Sequence, residues 1–225
     1  MDSDTTSGTR QEPAAPSAEM GLRFTVLASG RECAAGAALA ASHAEYPAFC
    51  AVFPDRDRRA RALLPFFTAT VKDAINFGVV NAAFDGSTVL GAAVWLPPGG
   101  FPWSARRQAV AVPEFLRVLA AYPSRFARFI RYGMAAQHAH PSDDHWYLVA
   151  LGVRPGAQRT GLGTQLLAPV LQRAGQDNTC CYLETSDPSN VAFYERLGFR
   201  TVAEDVALVP GGPAHVAMRR EADLT

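Results

Sequence analysis

The chain has 225 residues, 48% of them hydrophobic and 19% charged, with 21 basic and 21 acidic side chains that balance to zero formal net charge. That length and apolar content suit one sizeable core. A neutral balance removes the electrostatic case for nucleic acid or an anionic membrane as partner, and no run of about 20 uninterrupted apolar residues predicts a membrane span.

Residues 1–20, "MDSDTTSGTRQEPAAPSAEM", carry neither the basic start nor the apolar core of a secretion signal, so a cytoplasmic protein with a disordered N-terminal tail is expected. "LRFTVLAS" (22–29) alternates as an opening strand, and Ala-rich 31–46 reads as a helix stopping before Pro47. Residues 55–78 form a second helical region in which Pro65 predicts a break or kink. "VVNAAFD" and "TVLGAAVWLP" are strands joined by the hairpin signal Asp85-Gly86.

Residues 105–137 are helical, and Phe115, Leu119, Tyr122, Phe126 and Phe129 recur at steps of three and four on one face. "HWYLVALGV" (145–153) is a strong strand, followed by a Gly-rich loop and an amphipathic helix with Leu162, Leu166 and Val170 on its apolar side. "TCCYLETS" is a strand, "PSNVAFYERLG" a short helix ended by Gly198, and two strands close the chain. Cysteines 33, 50, 180 and 181 show no metal-ligand spacing, so reduced thiols and no metal are expected. The organisation predicted is a single α/β domain over 21–221 with a helical insertion at about 103–140.

The loop "VRPGAQRTGLG" (153–163) carries the chemistry. A strand running through glycine turns into a helix start gathers free N–H groups beside a positive helix end, which is an anion site. A dinucleotide cradle needs a third glycine where Leu166 stands, and a triphosphate loop needs a lysine that the segment lacks.

The loop resembles the Q/R-x-x-G-x-G/A pyrophosphate loop of the GNAT superfamily of acetyl-CoA-dependent N-acetyltransferases. "NVAFYERLGF" (190–199) resembles that family's second signature, a short helix bearing a tyrosine and ending in Gly-Phe. "LETSDPSNVAFYERLGF" (183–199), "YPAF", "VLGAAVWLPP" and Pro169 are similar to the puromycin N-acetyltransferase-like branch. The resemblance runs from about residue 22 to 220 and is weakest over 103–140.

It implies a mixed, mostly antiparallel sheet flanked by helices and splayed between the strands at about 145–153 and 179–185. Acetyl-CoA would lie along the gap, paired to the backbone of Leu151, Gly152 and Val153. Gln158, Arg159, Thr160, Gly161, Leu162, Gly163 and Thr164 would wrap its pyrophosphate, and Asn190 would contact its arm. Here the sequence departs from the commonest family pattern, which has its asparagine one turn earlier, at Asp187.

The implied reaction is attack of a small primary amine on the thioester through a tetrahedral intermediate. An alkylamine of pKa about 10 must first lose a proton, and a thiol near pKa ~8.5 leaves more easily when protonated. Tyr194 matches the family's proton donor to sulfur. Glu184 and His145 are alternative bases. Tyr46, Phe49, Phe53, Trp95, Phe101 and Trp103 would line an acceptor side suited to a partly apolar or aromatic amine. Relatives commonly pair, so a homodimer is an expected state. A non-catalytic acetyl-CoA-binding sensor or interaction module is the alternative that intact cofactor motifs leave open.

Overall fold

The computed structural model describes residues 21–209 and 211–222; the tail expected over 1–20 lies outside the described residues. Strands β1 (Leu22–Val26), β2 (Val79–Asp85), β3 (Thr88–Leu96), β4 (Trp146–Val153), β5 (Cys181–Thr185), β6 (Arg200–Val206) and β7 (His215–Arg220) form a seven-stranded sheet ordered β1-β2-β3-β4-β5-β7-β6. All neighbours are antiparallel except β4 and β5, which run parallel. The helices are α1 (Glu32–Ser42), α2 (Pro47–Val52), α3 (Arg56–Phe77), α4 (Ala105–Ala121), α5 (Phe126–Ala139), α6 (Leu162–Gln176) and α7 (Val191–Glu195). Within the described residues, no helix is long and apolar enough to cross a membrane.

Two apolar layers sandwich the sheet. One face buries Leu39, Phe53, Leu63 and Phe67 from α1–α3 against Ala82, Ala92 and Val94 of the sheet. The other buries Leu166, Leu167 and Val170 of α6 against Ala93, Trp95, Trp146 and Leu148. Each such large side chain, taken fully out of water, contributes about 1.5–3 kcal/mol. The Asp85–Thr88 pair closes the β2–β3 hairpin around Gly86, whose φ of 55° is the left-handed turn conformation glycine adopts at little cost.

Proline placement differs from the sequence expectation in three places. The first helix ends at Ser42, and Pro47 opens α2 at a position where its missing N–H is no loss. Pro65 breaks nothing: α3 runs 22 residues through it, held by buried Leu63, Phe67 and Val71 on either side. The helical stretch 105–137 divides at Tyr122, whose φ of −147° and ψ of 70° reflect the restriction imposed by Pro123. β1 also ends three residues earlier than the alternating pattern suggested.

A one-residue irregularity in β4 shapes everything that follows. Val94 pairs with Ala150 and Trp95 with Leu148, so Val149 is an extra residue without a partner on β3. This β-bulge changes the phase of the strand. Trp146, Leu148, Leu151 and Val153 join the α6-side layer, whereas Tyr147, Val149 and Ala150 all join the opposite one. A bulged strand bends and twists more strongly than its neighbour.

Candidate active site

Just before the bulge, β4 parts from β5. Their register holds only at Trp146–Cys181 and Tyr147–Tyr182, after which β5 continues with β7 alone. The remainder of β4 therefore has a free edge. Arg154 donates its N–H to Leu90 at 2.7 Å on the β3 side, so by strand alternation Val153 and Leu151 aim their backbone groups into the gap. The Val153 carbonyl there accepts from Gln158 Nε2 at 3.0 Å.

The loop after β4 turns through three residues of positive φ, Gly156 (90°), Arg159 (63°) and Gly161 (85°), before α6 begins. Gly161 is the N-cap of α6 and supplies no side-chain acceptor, so the first N–H groups of the helix stay uncapped. A Cβ at Gly161 would meet nothing closer than Gln165 Nε2 at 4.0 Å, which leaves open space before the helix start. Uncapped amides, a positive helix end and a free strand edge in line fit a diphosphate on a long amide-bearing arm. That is the shape of acetyl-CoA.

The gap opens into a cleft of about 1120 Å³. Leu151, Gly152, Val153, Gln158, Arg159, Gly161, Leu162, Gly163, Thr164, Asn190 and Tyr194 all line it, as does Glu184. Of the six rings expected on the acceptor side, Tyr46, Phe49, Phe101 and Trp103 line it as well.

Four expected residues do not line the cleft. Phe53 is fully buried, stacked between Tyr122 and Phe129 at 5.7 Å from each. Trp95 points to the α6-side layer because strand alternation takes it away from the acceptor face. Thr160 turns its hydroxyl back to the Ala157 carbonyl at 2.7 Å. His145 is buried behind the cleft rather than on its wall.

Glu184 is the carboxylate within the cleft that departs most from ordinary behaviour. Its side chain is only 6% exposed, and burial raises its pKa to about 7, opposed by the Tyr147 and Tyr182 hydroxyls. Tyr194 comes from α7, which a 3-10 turn at Pro188–Asn190 positions. The Tyr194 ring packs on Phe193 and Phe199 at 5.1 and 5.8 Å, and burial lifts its pKa so that the phenol keeps its proton. Asp187 accepts from the Ser189 N–H at 3.0 Å and holds that turn, while Asn190 Nδ2 reaches Thr185 Oγ1 at 3.4 Å.

Tyr46 does more than line the acceptor side, and two histidines beside the site, His43 and His140, escaped the sequence reading. Tyr46 donates to Thr185 Oγ1 at 3.2 Å and accepts from the Ser186 N–H at 2.6 Å, which ties the start of α2 to the end of β5. His43 packs edge-on to Tyr46 and tilted on Phe67, and burial pushes its pKa down to about 4. His140, just before Pro141, sits 4.5 Å from the rings of both Phe101 and Tyr147. Its only sequence signal was a histidine at a turn, which ordinarily means nothing.

The model of the acetyltransferase (GNAT) family matches residues 41–199. Among solved structures, the chain is similar to the histone acetyltransferase HPA2 and related acetyltransferase from Corynebacterium glutamicum. That pair has a TM-score of 0.63 and 22% identity, over 92% of this chain and 99% of the other. It is also similar to the polyamine N-acetyltransferase of Drosophila melanogaster (TM-score 0.60, 14% identity, 89% and 100% covered). A third is arylalkylamine N-acetyltransferase 2 of Aedes aegypti (0.55, 15%, 90% and 99%).

Proposed function

The chain belongs to the GNAT family of acetyltransferases, an acyltransferase that uses acetyl-CoA, and on that premise we propose that its acceptor is a small, partly apolar or aromatic primary amine. One observation carries this: a carboxylate poised near neutrality and a protonated phenol line a single cleft whose far wall is aromatic.

When bound, acetyl-CoA supplies an activated acetyl carbonyl and a sulfur that can leave. The Leu151 and Val153 backbone would hold its arm as an added strand, with the Leu151 amide donating toward the carbonyl oxygen. The uncapped N–H groups at Gly161–Thr164 and the Gln158 and Arg159 side chains would hold the diphosphate. Glu184 would take the proton of the incoming ammonium, directly or through one water. A carboxylate of pKa about 7 is well matched to proton transfer at neutral pH. Tyr194 would give its hydroxyl proton to the departing sulfur and be reprotonated by the second proton that the nitrogen loses as the amide forms.

On the acceptor side, Phe49, Phe66, Phe101, Trp103, Phe115 and Tyr132 form an apolar wall with few charges. That lining favours an aromatic amine over a polyamine. Residues 21–221 would act as one domain, with α4 and α5 as its helical insertion closing the acceptor side. The Drosophila and Aedes proteins are named for polyamine and arylalkylamine acceptors, and the wall described here fits the second kind. Resemblance to the puromycin N-acetyltransferase branch adds an aminonucleoside to the candidates.

The test is an amine panel including arylalkylamines, polyamines and puromycin, read by release of free thiol from acetyl-CoA. Aromatic amines are expected to turn over with kcat/KM at least tenfold above polyamines. Preference for polyamines would overturn the acceptor class, and thiol release by no amine would overturn the catalytic assignment.

A further inference from the structure

Behind Glu184 two buried imidazoles lead away from the cleft toward the surface. Glu184 Oε1 and His140 Nδ1 face each other at 3.9 Å, and neither atom has a hydrogen-bond partner. His140 Nε2 lies 3.0 Å from His145 Nε2, and His145 Nδ1 lies 2.7 Å from the Asp143 carbonyl oxygen. A carbonyl only accepts, so His145 carries its hydrogen on Nδ1 and offers a lone pair at Nε2. His140 must then donate from Nε2, which leaves its Nδ1 lone pair turned toward Glu184. One backbone oxygen thereby sets both tautomers. Asp143 itself is exposed and paired with Arg219 at 2.6 Å, so the chain of groups ends at solvent.

We propose that His140 and His145 relay to solvent, beside Asp143, the proton that Glu184 removes from the acceptor ammonium. The inference rests on Glu184 acting as the base. The acceptor N–H bond breaks as a Glu184 O–H bond forms. Once Glu184 Oε1 and His140 Nδ1 close their 3.9 Å separation to hydrogen-bonding distance, that proton passes to His140 Nδ1 while the Nε2 proton of His140 passes to His145 Nε2. The Nδ1 proton of His145 leaves to water. In each ring one nitrogen gains an N–H bond as the other loses one, and one proton leaves per amine acetylated. Because rotation cannot exchange Nδ1 with Nε2, each ring regains its starting tautomer between turnovers by giving one proton to water and taking one from it.

The surroundings suit transit rather than storage. Burial lowers the pKa of both rings, His140 to about 4, with Asp143 and Asp144 opposing and Arg219 reinforcing the effect at His145. Tyr147 and Tyr182 pack edge-on to His140 at 4.5 and 5.5 Å and enclose the path. Glu184 is the acidic group that faces His140 from β5. His140 and His145 act through Glu184 and are positioning residues for its proton.

The test measures kcat and KM for His140→Gln and Glu184→Gln from pH 6 to 10, using acetyl-CoA and the best amine of the panel. At pH 7, His140→Gln should lower kcat at least tenfold, with both KM values within twofold of the parent. The deficit should shrink toward pH 10, where a growing share of the amine arrives uncharged and brings no ammonium proton for Glu184 to remove. A deficit equal at every pH, or a kcat within twofold of the parent throughout, would overturn the relay. If Glu184→Gln is inactive and His140→Gln normal, the relay fails alone; if Glu184→Gln is fully active, the base assignment fails. Independently of substitution or substrate, 15N NMR of the intact protein should show neutral His145 with hydrogen on Nδ1 and neutral His140 with hydrogen on Nε2. Either opposite tautomer at pH 7 would overturn the proposal.

Discussion

In the proposed reaction Tyr194 and Glu184 would divide proton traffic by environment. Burial leaves the phenol protonated and the carboxylate half-ionised near neutrality, so one would give where the other would take. Replacing Tyr194 with Phe removes one hydroxyl from a packed ring. Turnover is expected to fall on the order of 10²–10⁴-fold with little change in acetyl-CoA binding by calorimetry. For Glu184 the sign follows from the active form: ionised carboxylate is the base, so kcat should rise with pH through about 7 and lose that limb in Glu184→Gln. A pH-independent parent profile would count against the assignment. Tyr194 was legible because its helix and Gly-Phe ending form a motif. His140 was not, since its partners Glu184 and His145 come together only when β4 and β5 pair.

At the scale of elements, the α6 cradle depends on a left-handed Gly161. A Val there would be strained at φ 85° and would project a side chain into the space before the helix. Acetyl-CoA affinity should drop at least tenfold by calorimetry, and intact affinity would dismiss the cradle. The acceptor wall depends on a different joint. Arg107 of α4 is buried and bonds Asp73 of α3 through both Nε and Nη2, at 2.8 and 2.5 Å. It also donates to the Gly100 carbonyl at 2.5 Å, anchoring the segment that bears Phe101 and Trp103. Removing one partner of a buried pair costs about 3–5 kcal/mol. Asp73→Asn should therefore lower Tm clearly in thermal denaturation and raise the amine KM more than the acetyl-CoA KM. Periodicity revealed these helices but not their limits. Tyr122–Pro123 ended α4 by local sterics, while Pro65 was carried through α3 by packing that local pattern does not encode.

For the whole molecule, His43, His140 and His215 are held near pKa 4 by burial, whereas unfolded histidine titrates near 6.5. Between these values the unfolded chain binds protons that the folded one refuses, so stability falls as pH drops from about 6.5 toward 4. Glu184 works against this: its folded pKa of about 7 lies above the unfolded value of 4.5, so its share declines as pH rises between them. His145 is shifted the same way, so four imidazoles oppose one carboxyl, and Tm should fall from pH 7 to pH 5. Glu184→Gln should fall more steeply still, since it lacks the opposing carboxyl. A Tm independent of pH over that span would contradict the burial of these rings. The mixed, mostly antiparallel sheet flanked by helices was legible through the family resemblance of two motifs, whereas the strand order was not. The acceptor wall was legible only in part, because Phe53 and Trp95 carry the same aromatic signal as Phe101 and Trp103 and only tertiary alternation sorts them.

The extra residue at Val149 behaves like a dislocation frozen into a lattice. Excising it would slide 146–148 by one step and drive Trp146 and Leu148 through to the side now occupied by Tyr147. Side-chain motion therefore cannot heal the cleavage line between the two halves of the sheet. The proposed dock for the acyl carrier is a permanent fault built in as the chain folds, and loading it should require little rearrangement of the main chain.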